Sequence, residues 1–173
     1  MVWRERERVE RCAMVGVLIL THGPLARELL AAARRIAGAC DGLEALCLDW
    51  DESRERAEQR VRSALDRRDQ GDGVLVLTDL FGGTPHNIAS CLCAHRRVVV
   101  VSGVNLPMVL RLGCSETGET RLDDLARSVS ERGRGSIQLC AAEGGEGAAL
   151  REAALHEPKD EPAICTTARG ARK

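Results

Sequence analysis

Val74-Leu75-Val76-Leu77-Thr78-Asp79-Leu80-Phe81-Gly82-Gly83-Thr84-Pro85 is the stretch on which the fold turns. Val74 to Thr78 is an unbroken apolar run closed by a threonine, the pattern of a short strand buried on both faces. Two glycines then turn the chain, Thr84 suits a helix N-cap, and Pro85 suits the first helical position. Ile88, Ala89 and Leu92 follow at helical spacing. Upstream the same grammar recurs: Met14 to Leu20 (MVGVLIL) is a continuous apolar run, Thr21-His22-Gly23-Pro24 ends it, and Leu25, Leu29, Ala32, Ala33, Ile36 and Cys40 make a helical stripe.

Between and beyond these units lie others of the same kind. Leu43 to Trp50 (LEALCLDW) reads as a strand, and Ser53 as the cap of a helix running to about Gln70. The apolar positions of that helix, Ala57, Val61, Ala64 and Leu65, form a narrow stripe on a charged and solvated surface. Val98 to Val101 is a fourth buried strand, closed by Ser102-Gly103-Val104-Asn105, and Asn105 caps a short helix carrying Met108, Val109, Leu110 and Leu112. A further helix is expected from about Thr120 to Arg132, with Leu122, Leu125, Ala126 and Val129 inward, then an extended segment from Ser136 to Cys140. Alternating strands and helices predict an α/β fold: an open, mainly parallel sheet in the order 2-1-3-4 with helices on both faces.

Three segments follow from composition. Residues 1–13 are a charge-dense extension expected to be disordered, 14–142 the folded domain, and 143–173 a mobile Gly/Ala/Glu-rich tail with a transient helix at Ala148 to Leu155. The length of 173 residues suits one such domain. The net charge of −1, from 25 basic and 26 acidic residues, gives no basic field to recruit nucleic acid. Trp3, Trp50 and Phe81 are the only aromatics, too few for a platform on which bases could stack. The eight cysteines lie mostly in apolar segments and form no CxxC pair, so they are expected to be reduced and to pack as small hydrophobes. No metal site or cofactor is expected. No signal-peptide pattern or membrane-length apolar run occurs, and a soluble, cytoplasmic protein is expected.

In open α/β sheets the ligand crevice lies at the carboxyl ends of the strands, where the strand order reverses. For the order 2-1-3-4 that point falls between the first and third strands, which end at His22 and Asp79. Both turns lead into helix N-termini, whose unpaired N–H groups and partial positive charge suit a phosphate. A neutral imidazole attacks phosphorus only through a nitrogen whose lone pair is free. Asp79, accepting from Nδ1–H, would leave Nε2 as that nitrogen and would stabilise the cationic ring that forms. His22 and Asp79 are therefore the candidate catalytic pair, and Thr84, Gly82, Gly83 and Gly23 the candidate phosphate-binding residues. His86 reads as an exposed helix residue, and His95 and His156 as solvated.

Three motifs in order, Val17-Leu18-Ile19-Leu20-Thr21-His22-Gly23, Leu77 to Asn87 (LTDLFGGTPHN) and Ser102-Gly103-Val104-Asn105-Leu106-Pro107-Met108, resemble the mannose-family enzyme IIA domain of the bacterial phosphoenolpyruvate:sugar phosphotransferase system. The resemblance spans about Met14 to Cys140. It implies a phosphocarrier that accepts phosphate from HPr on a histidine Nε2, matched by His22, and passes it to a IIB domain for sugar uptake. It further implies that Asp79 is the hydrogen-bonding aspartate, that Thr84 is the hydroxyl contacting phosphate, and that a homodimer exchanges a C-terminal strand falling near Ser136 to Cys140. The IIB acceptor is expected on a separate polypeptide, and contact with a membrane only through a transporter complex. Two features depart from the family pattern: His86, where a small or apolar residue is usual, and the long tail. A regulatory phosphorelay subunit, the phosphotransfer subunit of dihydroxyacetone kinases, and a non-catalytic flavodoxin-like module binding an anion or nucleotide are the alternative readings.

Overall fold

A computed structural model describes residues 14–38, 40, 42–93, 96–113 and 121–139. Four strands, β1 (Gly16–His22), β2 (Leu43–Leu48), β3 (Val74–Thr78) and β4 (Val98–Ser102), form one sheet in the order β2-β1-β3-β4. All three pairings are parallel. The helices are α1 (Leu25–Ala37), α2 (Arg54–Arg68), α3 (Thr84–Cys93), α4 (Leu106–Gly113) and α5 (Leu122–Gly135). This is the α/β architecture and strand order expected from the sequence.

The continuous apolar runs are explained by cover on both faces. Val17 and Ile19 of β1, with Leu75 and Leu77 of β3, pack with Ala26, Leu30 and Ala33 of α1, Met108, Val109 and Leu112 of α4, and Leu125 and Val129 of α5. The alternate residues, Leu18, Leu20, Val74 and Val76, pack on the opposite side with Ala57, Val61 and Leu65 of α2 and Ile88 and Leu92 of α3. Successive side chains of a strand point to opposite faces, so each central strand supplies both cores. Truncating Leu20, which is fully buried, would cost about 2–5 kcal/mol.

The helix starts differ in detail from expectation. Ser53 caps α2 as expected, its Oγ accepting the Arg56 N–H at 3.3 Å, and Asn105 Oδ1 accepts the Met108 N–H at 3.2 Å. In α1 the residue before the helix is Pro24, which has no side-chain donor or acceptor, and the buried Thr21 takes over: its Oγ1 accepts the Ala26 N–H at 2.8 Å. In α3 the Gly83 carbonyl accepts the Asn87 N–H at 2.9 Å, so Gly83 takes the cap position and Thr84 is the first helical residue. Both shifts are one residue from the sequence reading, and in each a glycine or proline turn decides where the first helical hydrogen bond closes.

β2 ends at Leu48, two residues short of the expected Trp50, and α5 extends to Gly135. Ser136 forms a turn against the end of α5 rather than opening a strand. Residues 137–139 belong to a second unit, 137–173, and are neither helix nor strand. The expectations for residues 1–13, for Cys140, for the tail 143–173, and for His95 and His156 lie outside the described residues. Cys40, Cys47 and Cys91 are free thiols. Among the described residues no helix is long and apolar enough to cross a membrane.

Candidate active site

The sheet carries β1 and β3 side by side, with Leu20 opposite Thr78, so His22 and Asp79 leave the same sheet edge from adjacent strands. Their side chains meet. His22 Nδ1 lies 2.9 Å from Asp79 Oδ2, and the same oxygen accepts the His22 backbone N–H at 2.9 Å. Oδ1 accepts the Leu80 N–H at 2.9 Å, which fixes the carboxylate from its other side. A carboxylate accepts hydrogen bonds, so the contact suits the tautomer that carries its proton on Nδ1 and its lone pair on Nε2. The pair is half-buried, with 21% of the His22 side chain and 15% of the Asp79 side chain exposed.

The Nε2 edge faces the glycine turn. A Cβ built on Gly83 would stand 2.8 Å from His22 Cε1 and 3.4 Å from Nε2, so only a glycine leaves the ring where it is. Gly82 has φ +78, a conformation L side chains rarely adopt, and its carbonyl accepts from Asn87 Nδ2 at 2.8 Å. Beyond the turn, the exposed Thr84 opens α3. Gly23 sits on the other flank with φ +51, and its N–H donates to the Leu48 carbonyl at 2.8 Å. The turn thus brings the Gly83 backbone and, directly after it, the N-terminus of α3 with its hydroxyl-bearing Thr84 to the Nε2 side of the imidazole.

Two features of the surroundings escaped the sequence reading. Trp50 stacks on His22 with ring centroids 5.3 Å apart and planes inclined by 10°. The β1–β2 register explains it: Leu48 lies opposite His22, so a residue two positions later stands at the edge where His22 emerges. His86 is the other. It is partly buried rather than exposed, with Nδ1 2.8 Å from Ser102 Oγ and Nε2 3.3 Å from Ser90 Oγ. Ser102 Oγ in turn lies 2.8 Å from the Oγ1 of the buried Thr78, the last residue of β3. Phe81 rests on the His86 ring, centroids 4.6 Å apart. A buried hydroxyl must find a partner, and the chain from Thr78 to His86 supplies one.

Residues 16–129 match the family model described as PTS system fructose IIA component. The chain belongs to this family. It is 30% identical over 149 residues to the PTS system mannose-specific EIIAB component of Escherichia coli strain K12, a match covering 86% of this chain and 46% of the relative. The chain thus spans about half the length of these EIIAB relatives. With the PTS system fructose-specific EIIA component of Bacillus subtilis it shares 30% identity over 129 residues, covering 74% of this chain and 88% of the relative. The mannose/sorbose specific IIA subunit from Enterococcus faecalis has the same fold, with a TM-score of 0.68 at 24% identity over 76% of this chain and 98% of that one. Membership in the IIA family extends over all four strands and includes both the His22 and the Asp79 turns.

Proposed function

We propose that this chain is a phosphocarrier of the phosphoenolpyruvate-dependent sugar phosphotransferase system, taking a phosphoryl group from HPr onto His22 Nε2 and passing it to a IIB domain. The observation that carries the reading is the Nδ1–Asp79 contact of 2.9 Å, which supports the ring's other nitrogen as the nucleophile. In the transfer, the Nε2 lone pair forms the new N–P bond while the donor's P–N bond breaks and the donor nitrogen keeps that electron pair. The His22 ring becomes cationic, and the Asp79 carboxylate stabilises it. The role assigned to Thr84 is to present its hydroxyl to the phosphoryl oxygens, and that of Gly82, Gly83 and Gly23 is to let the phosphoryl group approach the backbone closely, the Gly23 and Gly83 N–H groups being engaged by the Leu48 and Leu80 carbonyls. No metal ion or organic cofactor is needed for these steps.

The surroundings of His22 support a protein as donor and acceptor. Leu25, Trp50, Leu80 and Phe81 are all exposed apolar side chains on the turns that carry or flank the pair. Such an apolar rim favours a docking protein over a small polar substrate. A homodimer belongs to the same reading, because β4 is an edge strand whose four valines stay only partly buried. An apolar strand at the edge of the described sheet is suited to pairing with a strand from a second copy. The working compartment is the cytoplasm, with the membrane reached only through the transporter.

The test is incubation with phosphoenolpyruvate, enzyme I and HPr, followed by mass mapping of acid-labile phosphate. Label is expected on His22 and absent from His22→Ala, whose fold should be intact by circular dichroism. Label on His86, or none with competent donors, overturns the reading. An unmodified His22 beside a firmly bound anion or nucleotide would point instead to a non-catalytic binding module.

A further inference from the structure

Trp50 is 78% exposed, so burial contributes little to holding its indole in place. It nevertheless lies parallel to the His22 ring with the centroids 5.3 Å apart, an offset-stacked arrangement. The backbone is built to allow this. The β1–β2 register sets Leu48 opposite His22, and the Gly23 N–H continues the pairing to the Leu48 carbonyl. A Cβ on Gly23 would stand 3.2 Å from the indole Nε1, so the glycine leaves the indole room. The imidazole is therefore bracketed: Asp79 at Nδ1, Gly83 beside Cε1 and Nε2, and Trp50 across one face.

We propose that Trp50 is a positioning residue that sets how long His22 keeps its phosphoryl group. The inference rests on the phosphocarrier reading. Once Nε2 has given its lone pair to phosphorus and Nδ1 has kept its proton, the ring carries a positive charge and the PO3 group two negative ones. An indole face within about 6 Å of a cation attracts it through the negative face of its ring quadrupole. The neutral imidazole gains less from the same face, so Trp50 stabilises the phosphorylated state relative to the free one. Losing the phosphoryl group to water or to an acceptor returns the electron pair to Nε2 and discharges the ring. Trp50 therefore slows unproductive hydrolysis and holds the group until an acceptor docks.

The experiment uses the full chain and the variants Trp50→Leu and Trp50→Phe, each phosphorylated with phosphoramidate, a donor that needs no protein partner. The lifetime of phosphohistidine is followed by 31P NMR, with thermal melting as the control for fold. Trp50→Leu is expected to shorten the lifetime roughly two- to fivefold, the worth of an exposed cation–π contact. Trp50→Phe keeps a π face and should restore most of it. Tryptophan emission of the native chain should change on phosphorylation, and Trp50→Phe should remove that change although Trp3 remains. Equal lifetimes in all three proteins, or a Trp50→Phe lifetime as short as that of Trp50→Leu, overturn the role of Trp50 and leave the phosphocarrier reading standing. Failure of every protein to take label on His22 overturns both.

Discussion

His22 and His86 are two imidazoles at the carboxyl edge of one sheet, and they differ in what their ring nitrogens meet. At His22 one nitrogen is tied to a carboxylate and the other faces a glycine turn. At His86 both nitrogens lie within hydrogen-bond reach of serine hydroxyls, Ser102 on one side and Ser90 on the other. In the proposed mechanism the first arrangement leaves a lone pair for chemistry; the second uses the ring as a strut between β4 and α3. A histidine's task is thus read from its unfilled nitrogen, and proximity to a helix N-terminus does not decide it.

The comparison breaks most sharply at Gly83. Gly83→Ala puts a methyl group 2.8 Å from His22 Cε1, so either the imidazole or the turn must move. Misplacing a reacting group by about an ångström costs on the order of 100-fold in rate. Phosphorylation of His22 by HPr is expected to fall by about that factor in quenched-flow assays, with little change in melting, because Gly83 does not have a positive φ. Gly82→Ala should behave in reverse. No atom lies in the way of its methyl group, but φ is +78. It should lose about 1–2 kcal/mol of stability and keep most of its transfer rate.

Asp79→Asn comes next. The amide keeps the size of the carboxylate but removes the charge that favours a cationic ring, and it can present a donor where Nδ1 needs an acceptor. A charge-assisted hydrogen bond is worth about 1.5–3 kcal/mol, so transfer should slow roughly 10- to 100-fold. An Asp79→Asn chain that is phosphorylated at the native rate would reduce Asp79 to a turn-former holding the Leu80 N–H. Thr84→Ala is expected to slow transfer about five- to tenfold, with Thr84→Ser restoring it. The melting temperature should barely move, because the cap position of α3 belongs to Gly83. A large loss of stability with unchanged transfer would assign Thr84 to the helix alone.

How much of this could be read beforehand follows from the range of each interaction. The strands, their order and the meeting of the His22 and Asp79 turns were legible because apolar runs and turn residues are local signals. The topology rule then joins two loops that the sequence separates. The Trp50 stack is not legible, because LEALCLDW reads as one strand through Trp50; the strand stops at Leu48, and the two residues after it carry the indole onto the His22 ring. The surroundings of His86 read from the sequence as solvent, whereas the ring is partly buried. Its partner Ser102 is 16 residues away on β4, and nothing local marks a serine at a strand end as a ring's hydrogen-bond partner. The cap of α1 is hidden for the opposite reason: Pro24 at the helix start looks sufficient, and nothing local says that Thr21, four residues before the helix, is buried in the strand with its hydroxyl on the Ala26 N–H.

His86→Phe carries the smallest expected effect and tests the strut directly. Phenylalanine keeps an aromatic ring beneath Phe81 and removes both ring nitrogens, so Ser90 and Ser102 lose their imidazole partner while Ser102 retains Thr78. Losing hydrogen bonds at partly exposed hydroxyls should cost about 1 kcal/mol, or about 2–4 °C in melting temperature. Transfer from HPr should stay within about twofold of native, since no step of the chemistry passes through His86. If His86→Phe slowed transfer tenfold with melting unchanged, the ring would be acting on the phosphoryl group. The line drawn between the two histidines would then run through the reaction itself, because Ser102 and Thr78 connect His86 to the residue next to Asp79.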